Sequence, residues 1–239
     1  MNLPNIKISV WPCKNKGKIV ATAKITIGNA IAVYPLRLIQ GRQRFFLGMP
    51  QLLDHQDEYR DVFYPINTEA REALTKKVVH TYQNAKNSYW DFPSEEAFKP
   101  DITVRLYSDP IHNLIGYAEL VLNGAFRIVN IRIFQDADGR RRIAFPERWY
   151  RENGEIVVKS IFEFRKNWED TLKKQISDEF DKVYETVKQE SIQTILGKKD
   201  GDLSYNEMME IRLIREAERR KPALTEEPIE TEDEEMVIQ

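Results

Sequence analysis

Residues 19–40, IVATAKITIGNAIAVYPLRLIQ, decide the fold, because residues 114–135, LIGYAELVLNGAFRIVNIRIFQ, repeat them. At one constant offset Ala23 lies over Ala118, Ala30 over Ala125, Arg37 over Arg132 and Gln40 over Gln135. Aliphatic residues oppose aliphatic ones almost throughout. Both copies break at the same point, Gly28-Asn29 in the first and Asn123-Gly124 in the second. These pairs supply the positive-φ residues of a two-residue hairpin turn, so each copy reads as two long antiparallel strands. A repeat on this scale governs the architecture and is weighed before any local motif.

The elements around the two hairpins recur in the same order. Ile6 to Trp11 alternates apolar with polar residues, the period of a half-buried strand. After the first hairpin, Arg44 to Met49 reads as a short apolar strand stopped by Pro50, Gln51 to Arg60 as a polar loop, and Tyr59 to Phe63 as an edge strand. Asn67 or Thr68 caps a helix that reaches about Tyr82, with Ala70, Leu74 and Val78 on one face. Residues 84–100 have no period and read as the connection. The second copy gives a strand over Ile102–Tyr107, the hairpin, a turn at Ala137-Asp138-Gly139, and a strand through Arg142 to Phe145 stopped by Pro146. A strand over Glu155–Phe162 and a helix from Asn167 follow; its stripe Trp168, Leu172, Ile176 and Phe180 continues to about Leu196.

The predicted fold class is therefore α+β: two tandem antiparallel-sheet domains, each with a C-terminal helix, packed as an intramolecular pseudo-dimer. The boundaries are 1–84 for the first domain, 85–100 for the connection and 101–196 for the divergent second domain with its long helix. A charged helical arm over 197–222 and an acidic, disordered tail over 223–239 complete the reading.

Among 239 residues the formal charge is −2, which hides an asymmetry. Residues 1–196 carry 29 Lys+Arg against 25 Asp+Glu, net +4, and residues 197–239 carry 7 against 13, net −6. No run of about 18 apolar residues suggests a membrane span, and no basic-then-apolar N-terminus suggests a secretory signal. The single Cys13 cannot close an internal disulfide. A cytoplasmic location is expected.

Residues 45–67, FFLGMPQLLDHQDEYRDVFYPIN, carry a specific likeness. A hairpin ending in LRLIQG, an apolar strand ending in Met49-Pro50, Glu58-Tyr59-Arg60-Asp61 leading to Tyr64-Pro65-Ile66-Asn67, and a helix with Arg71 and Tyr82 near its ends all recur together. Residues 5–84 thus resemble one full domain of the stage V sporulation protein G (septation protein) family of small bacterial regulators. The second copy keeps the order of elements but few motif residues; Pro146 stands over Pro50 and Glu155 over Glu58. The resemblance implies a dimer-forming domain that binds DNA and RNA and regulates genes, so that two copies in one chain look like a dimer made covalent. Family members commonly have basic residues directly after the Met-Pro, where this chain has Gln51-Leu52-Leu53-Asp54-His55. In repeat two the matching loop, Glu147-Arg148-Trp149-Tyr150-Arg151, keeps two cations and adds two aromatics.

A nucleic-acid site needs cations spaced to meet phosphates, and aromatics where bases stack. Arg140, Arg141 and Arg142 with Arg148, Trp149, Tyr150 and Arg151 form the densest such stretch. Arg42 and Arg44 occupy the equivalent turn of repeat one, Arg60 belongs to the family motif, and Lys76-Lys77 and Lys173-Lys174 occupy roughly equivalent helix positions. The alternative for each is a solvated turn or helix face. The catalytic inventory is poor: His55, His80 and His112 are scattered, and no glycine loop of phosphate-binding type occurs. Asp200, Asp202, Ser204 and Asn206 mimic calcium-loop spacing, but Tyr205 replaces the required Gly and Ile211 the bidentate Glu. The expectation is a binding protein without metal or cofactor, not an enzyme. Its expected partner is DNA or RNA, held with limited sequence specificity by a monomeric pseudo-dimer or weak homo-oligomer. The competing class is an adaptor that docks a protein partner through its C-terminal helices.

Overall fold

In the computed structural model the described residues are 5–14, 17–54, 56–85, 89–92, 98–109, 111–165 and 167–196. The expected arm and acidic tail lie outside them. Repeat one runs β1 (Ile6–Pro12), β2 (Ile19–Ile27), β3 (Ile31–Gln40), β4 (Phe45–Gly48), β5 (Gln51–Leu53), β6 (Tyr59–Asp61), β7 (Phe63–Pro65) and α1 (Thr68–Ala85). After β8 (Tyr89–Phe92), repeat two runs β9 (Pro100–Asp109), β10 (Leu114–Leu122), β11 (Phe126–Gln135), β12 (Arg141–Ala144), β13 (Glu147–Glu152), β14 (Glu155–Ser160), β15 (Phe162–Phe164) and α2 (Trp168–Leu196). No described helix is long and apolar enough to cross a membrane.

The repeat holds in atomic detail. Gly28 and Asn29 have φ of 57° and 54°, and Asn123 and Gly124 have φ of 50° and 61°. In both turns the chain closes with a 3.0 Å bond, from the Ala30 amide to the Ile27 carbonyl and from the Ala125 amide to the Leu122 carbonyl. Two positive-φ residues in a row match the twist of the flanking strands, which is why Asn and Gly occupy these places. Even the irregularities are copied. β2 slips against β3 between Ile19 and Ala21 and between Ala23 and Ile25. β10 slips against β11 between Leu114 and Gly116 and between Ala118 and Leu120.

The two sheets are completed by exchange. One sheet has the order β15-β3-β2-β1-β8 with β4 also on β3, and the other the order β12-β11-β10-β9 with β7 also on β11. β4 takes the edge of β3 over Arg37–Gln40, and β15 of repeat two takes the same edge over Ile31–Val33. Reciprocally, β12 takes β11 over Arg132–Gln135, and β7 of repeat one takes it over Phe126–Ile128. Matching hydrogen bonds flank the two exchanged strands. The Val129 amide donates to Val62 at 3.0 Å and the Ile66 amide to Ala125 at 3.0 Å, while the Tyr34 amide donates to Ile161 at 3.0 Å and the Arg165 amide to Ala30 at 2.8 Å. The same surface thus serves on both repeats, the mark of a two-fold, isologous interface.

Apolar burial follows the exchange. Phe63 of β7 stacks on Phe126 of β11, ring centres 5.4 Å apart, and Phe162 of β15 lies 6.2 Å from Phe145. Phe63 and Phe126 are fully buried, and one continuous apolar core contains residues of both repeats. The strands of both repeats, α1 and the first part of α2 lie in one compact unit, Met1–Tyr184, so the sequence boundary near residue 84 does not divide the core; a second unit begins at Glu185.

Each helix covers its own repeat's sheet. The Asn67 side chain accepts the Ala70 amide at 2.8 Å, which makes Asn67 the N-cap of α1. Ala70, Leu74 and Val78 are fully buried, as are Leu172 and Ile176 of α2, with Phe180 nearly so. Phe180 seats over Gly116, where an added Cβ would meet the Arg105 carbonyl at 2.9 Å and the Phe180 ring at 3.1 Å. Glycine is what permits this close approach. At α2 an exchange of chemistry has occurred: Phe45 packs edge-on against Tyr82 at 6.0 Å in repeat one, whereas Arg141, at the equivalent strand position, lies 4.6 Å from the centre of the Phe180 ring.

Several readings of the sequence change. The stretch 51–60 is a hairpin, β5 against β6, not a polar loop, and Glu147–Glu152 is likewise a strand, paired with β14. The repeat-two hairpin turns at Asn153-Gly154, with φ of 52° and 87°, and is longer, so its pairings set Val158 over Tyr59 and displace Glu155 from the place of Glu58. The segments expected as single strands over Tyr59–Phe63 and Glu155–Phe162 each divide, into β6 and β7 and into β14 and β15, because Phe63 and Phe162 belong to the other repeat's sheet. The connection contributes β8, which pairs with β1.

The exchange predicts that residues 1–196 sediment as a monomer at micromolar concentration; a dimer built through the same strand edges contradicts it. Phe63→Ala removes a ring buried at the exchange and is expected to cost about 3–5 kcal/mol in denaturant unfolding.

Candidate nucleic-acid interface

The exchange brings two hairpins together. β5–β6 leaves β4 and leads into β7, and β13–β14 leaves β12 and leads into β15, so each hairpin spans from its own sheet to the other repeat's. They meet at the middle of β3, in the gap between the β15 and β4 pairings. A cleft of about 510 Å³ opens there. Repeat one lines it with Pro35, Arg37, Leu53 and Tyr59 and with the Met-Pro segment at Met49 and Pro50; repeat two contributes Arg148, Trp149 and Tyr150. Tyr59 is 71% exposed and Trp149 64% exposed. Among the described residues its lining holds two arginines and no acid. At its edge the Lys159 ammonium stands 5.1 Å from the centre of the Tyr150 ring, and hydrogen bonding to Tyr150 pushes the lysine pKa up.

The residues singled out from the sequence fall into groups. Arg148, Trp149 and Tyr150 reach the cleft, and Arg151 is exposed on the same strand. Arg140 is exposed in the turn before β12, where its amide donates to Asp136 at 2.7 Å. Arg142 is exposed and stacks its guanidinium over Phe134 at 4.5 Å, on the sheet face that α2 does not cover. Arg42 is exposed in the equivalent turn of repeat one, and Arg44 lies 5.0 Å from the centre of the Phe46 ring. Exposed arginines stacked on ring faces in this way still present their donors to solvent.

Others are committed elsewhere. Arg141 points to the opposite face of its sheet, where it donates to the Asp181 carboxylate at 2.7 Å and to the Ser177 hydroxyl at 3.1 Å. Its partner Asp181 is held below the usual carboxylate range by that hydrogen bond. Arg60 donates to Asp54 at 2.6 Å and to Glu58 at 2.7 Å, so two carboxylates face its charge. Lys76 is exposed on α1, while Lys77 is half-buried and burial pushes its pKa down. Lys173 and Lys174 form i,i+4 ion pairs with Glu169 and Asp178, each at 2.7 Å.

The sequence reading passed over Arg37, Tyr59 and Lys159. Arg37 had a signal, its coincidence with Arg132 in the repeat; Tyr59 lay inside the family motif without a role. Lys159 had none, because only the pairing of β13 with β14 sets it beside Arg148. Among the described residues no group of three or more His, Cys, Asp or Glu is placed to hold a metal ion.

The Arg60 network makes a pH prediction. Asp54 accepts the Arg60 side chain and the amides of Glu58 and Gln56, and these lower its pKa from 3.8 to about 2. A depressed folded-state pKa stabilises the hairpin above the ordinary value, and this contribution is lost as pH falls through about 2. A carboxyl-carbon NMR titration is expected to give Asp54 a midpoint near 2; a midpoint at 3.8 contradicts the network. Arg141→Ala is expected to lower stability by about 1 kcal/mol, since one side of its ion pair is exposed, without altering any salt dependence of binding.

Comparison with known proteins identifies the first repeat. The SpoVG family model matches residues 1–84. Relatives named septation protein SpoVG include one from Lachnospira eligens, 33% identical over 86 residues, which are 36% of this chain and 96% of that protein. Another, from Clostridium perfringens, is 31% identical over 87 residues, 36% of this chain and 94% of the relative. A third, from Heliobacterium modesticaldum, is 34% identical over 70 residues, 29% of this chain and 79% of the relative. All of repeat one is thereby covered, and repeat two copies its turns, bulges and exchanged strand. The chain belongs to the SpoVG family, with a second, divergent domain of the same plan following the first.

Proposed function

We propose that this protein is a cytoplasmic regulator that binds DNA or RNA with limited sequence specificity, and that binding rather than catalysis is its activity. The observation that carries the reading is the meeting of the two hairpins at one cleft lined by Arg37 and Arg148 and by exposed aromatics, without an acid. Exposed Arg140, Arg142 and Arg151 add cations on repeat two. Phosphates attract such groups without regard to sequence, since backbone contacts position a nucleic acid but do not read it. The mild charge of the folded body implies moderate affinity that falls quickly with salt. The exchange lets one chain supply what two chains supply in a symmetric dimer, so the working unit is the monomer.

A second reading, docking of a protein partner through α2, has one observation in its favour: Tyr184 and Val187 on that helix are 48% and 44% exposed. Salt separates the two. Phosphate contacts release counterions, whereas burial of apolar helix surface does not.

Fluorescence anisotropy with single- and double-stranded DNA and RNA at several salt concentrations tests the proposal. Binding is expected to weaken linearly in log-log form, and joint replacement of Arg140, Arg142, Arg148 and Arg151 by Ala is expected to flatten the slope by about 0.7–0.9 per lost phosphate contact. An unchanged slope and affinity in that variant contradict the proposal.

A further inference from the structure

We infer that the cleft between the hairpins holds one unstacked nucleotide, so that the chain grips single-stranded nucleic acid more tightly than duplex. The inference rests on the nucleic-acid reading above and gives that site its substrate class.

Size, charge and shape point to the same occupant. A cavity of about 510 Å³ lies within the range of about 300–1,000 Å³ typical of compact ligands. Arg37 comes from repeat one and Arg148 from repeat two, and with no acid in the lining both can face an anion. Tyr59 and Trp149, also one from each repeat and 71% and 64% exposed, line the same cleft, with Trp149 on the face of β13 opposite that of Arg148. Large rings left this open cost apolar exposure unless something flat covers them. An anionic group joined to a flat apolar one describes a nucleotide. In a duplex each base is already paired and stacked, and drawing one out costs a few kcal/mol; in a single strand that cost is smallest. Stacking of a base on an aromatic side chain returns about 1–3 kcal/mol.

The cleft needs both repeats. Repeat one has Gln51-Leu52-Leu53 after its Met-Pro, and repeat two supplies Arg148 at the place of Leu52 in its own hairpin. The exchange of β7 and β15 then sets that arginine across from repeat one's Met49-Pro50. Neither hairpin alone offers two cations and two open rings to one cavity.

The test uses the full chain, labelled single strands of DNA and of RNA, their duplexes, and the same single strand carrying abasic sites. Tyr59→Ala and Trp149→Ala are expected to weaken single-strand binding about 5- to 100-fold and duplex binding by a much smaller factor, while Trp149→Phe keeps most of the affinity. The abasic strand is expected to bind the unaltered protein only as tightly as the intact strand binds the Ala variants. Both rings are exposed, so unchanged thermal unfolding is expected of each variant and is checked first. Equal losses on single strand and duplex, an abasic strand held as tightly as the intact one, or displacement of the strand by an acidic peptide at comparable concentration overturns the inference. Salt-dependent binding that ignores Tyr59 and Trp149 leaves the nucleic-acid reading standing and removes only the cleft. Absence of binding to every oligonucleotide at low salt removes both.

Discussion

Everything in this molecule depends on one shared strand edge, used twice. β3 is longer than β4, and β11 is longer than β12, so each repeat leaves the start of its third strand without a neighbour of its own. Unpaired backbone groups in a buried position each cost on the order of 1–3 kcal/mol. The vacant edge is filled by a three-residue strand from the other repeat, with matched flanking hydrogen bonds in both directions. Short strands of this length have little stability alone. They hold because a phenylalanine in each, Phe63 or Phe162, enters the common core.

Placement of the candidate site follows from that edge. A chain that must leave its own sheet after β4 or β12 and join the other repeat's sheet has to cross the middle of the molecule, and the crossing segment in each repeat folds back as a hairpin. Two crossings at one place form a cleft. Divergence then acted on the two crossings differently. In repeat one Arg60 is bound to Asp54 and Glu58, and in repeat two the hairpin is longer and carries Arg148 and Arg151. The same divergence turned an aromatic contact between strand and helix, Phe45 with Tyr82, into a cation held over a ring, Arg141 with Phe180. An arginine cluster in the sequence therefore divides in space. Alternation along β12 sends Arg141 to the helix side and Arg142 to the open side.

Much of the fold was legible because it rests on local chemistry that repeats. Gly28-Asn29 and Asn123-Gly124 announce their turns, Asn67 its helix, and the stripes Ala70, Leu74, Val78 and Leu172, Ile176, Phe180 the covered faces. Asn153-Gly154 carried the same turn signal as the other hairpins, and the sequence reading passed over it. The short strands of β5 and β6 have no such pair and are too brief to show a period. The exchange itself was hidden for a different reason: which sheet Phe63 joins depends on the edges left vacant elsewhere, and nothing near Phe63 in sequence records that. Arg37 and Tyr59 were missed as site residues on the same ground. Their meeting at one cleft is set by a crossing of chain segments, not by spacing.

The central claim, that the two repeats complete each other's sheets within one molecule, is tested most directly by nuclear Overhauser contacts in a sample mixed from isotope-labelled and unlabelled protein. The account predicts cross-strand contacts between Phe63 and Ile128 and between Phe162 and Val33 within single molecules, with no counterpart in the spectrum filtered for contacts between labelled and unlabelled chains. Those contacts appearing in the filtered spectrum, or missing from both, would contradict it.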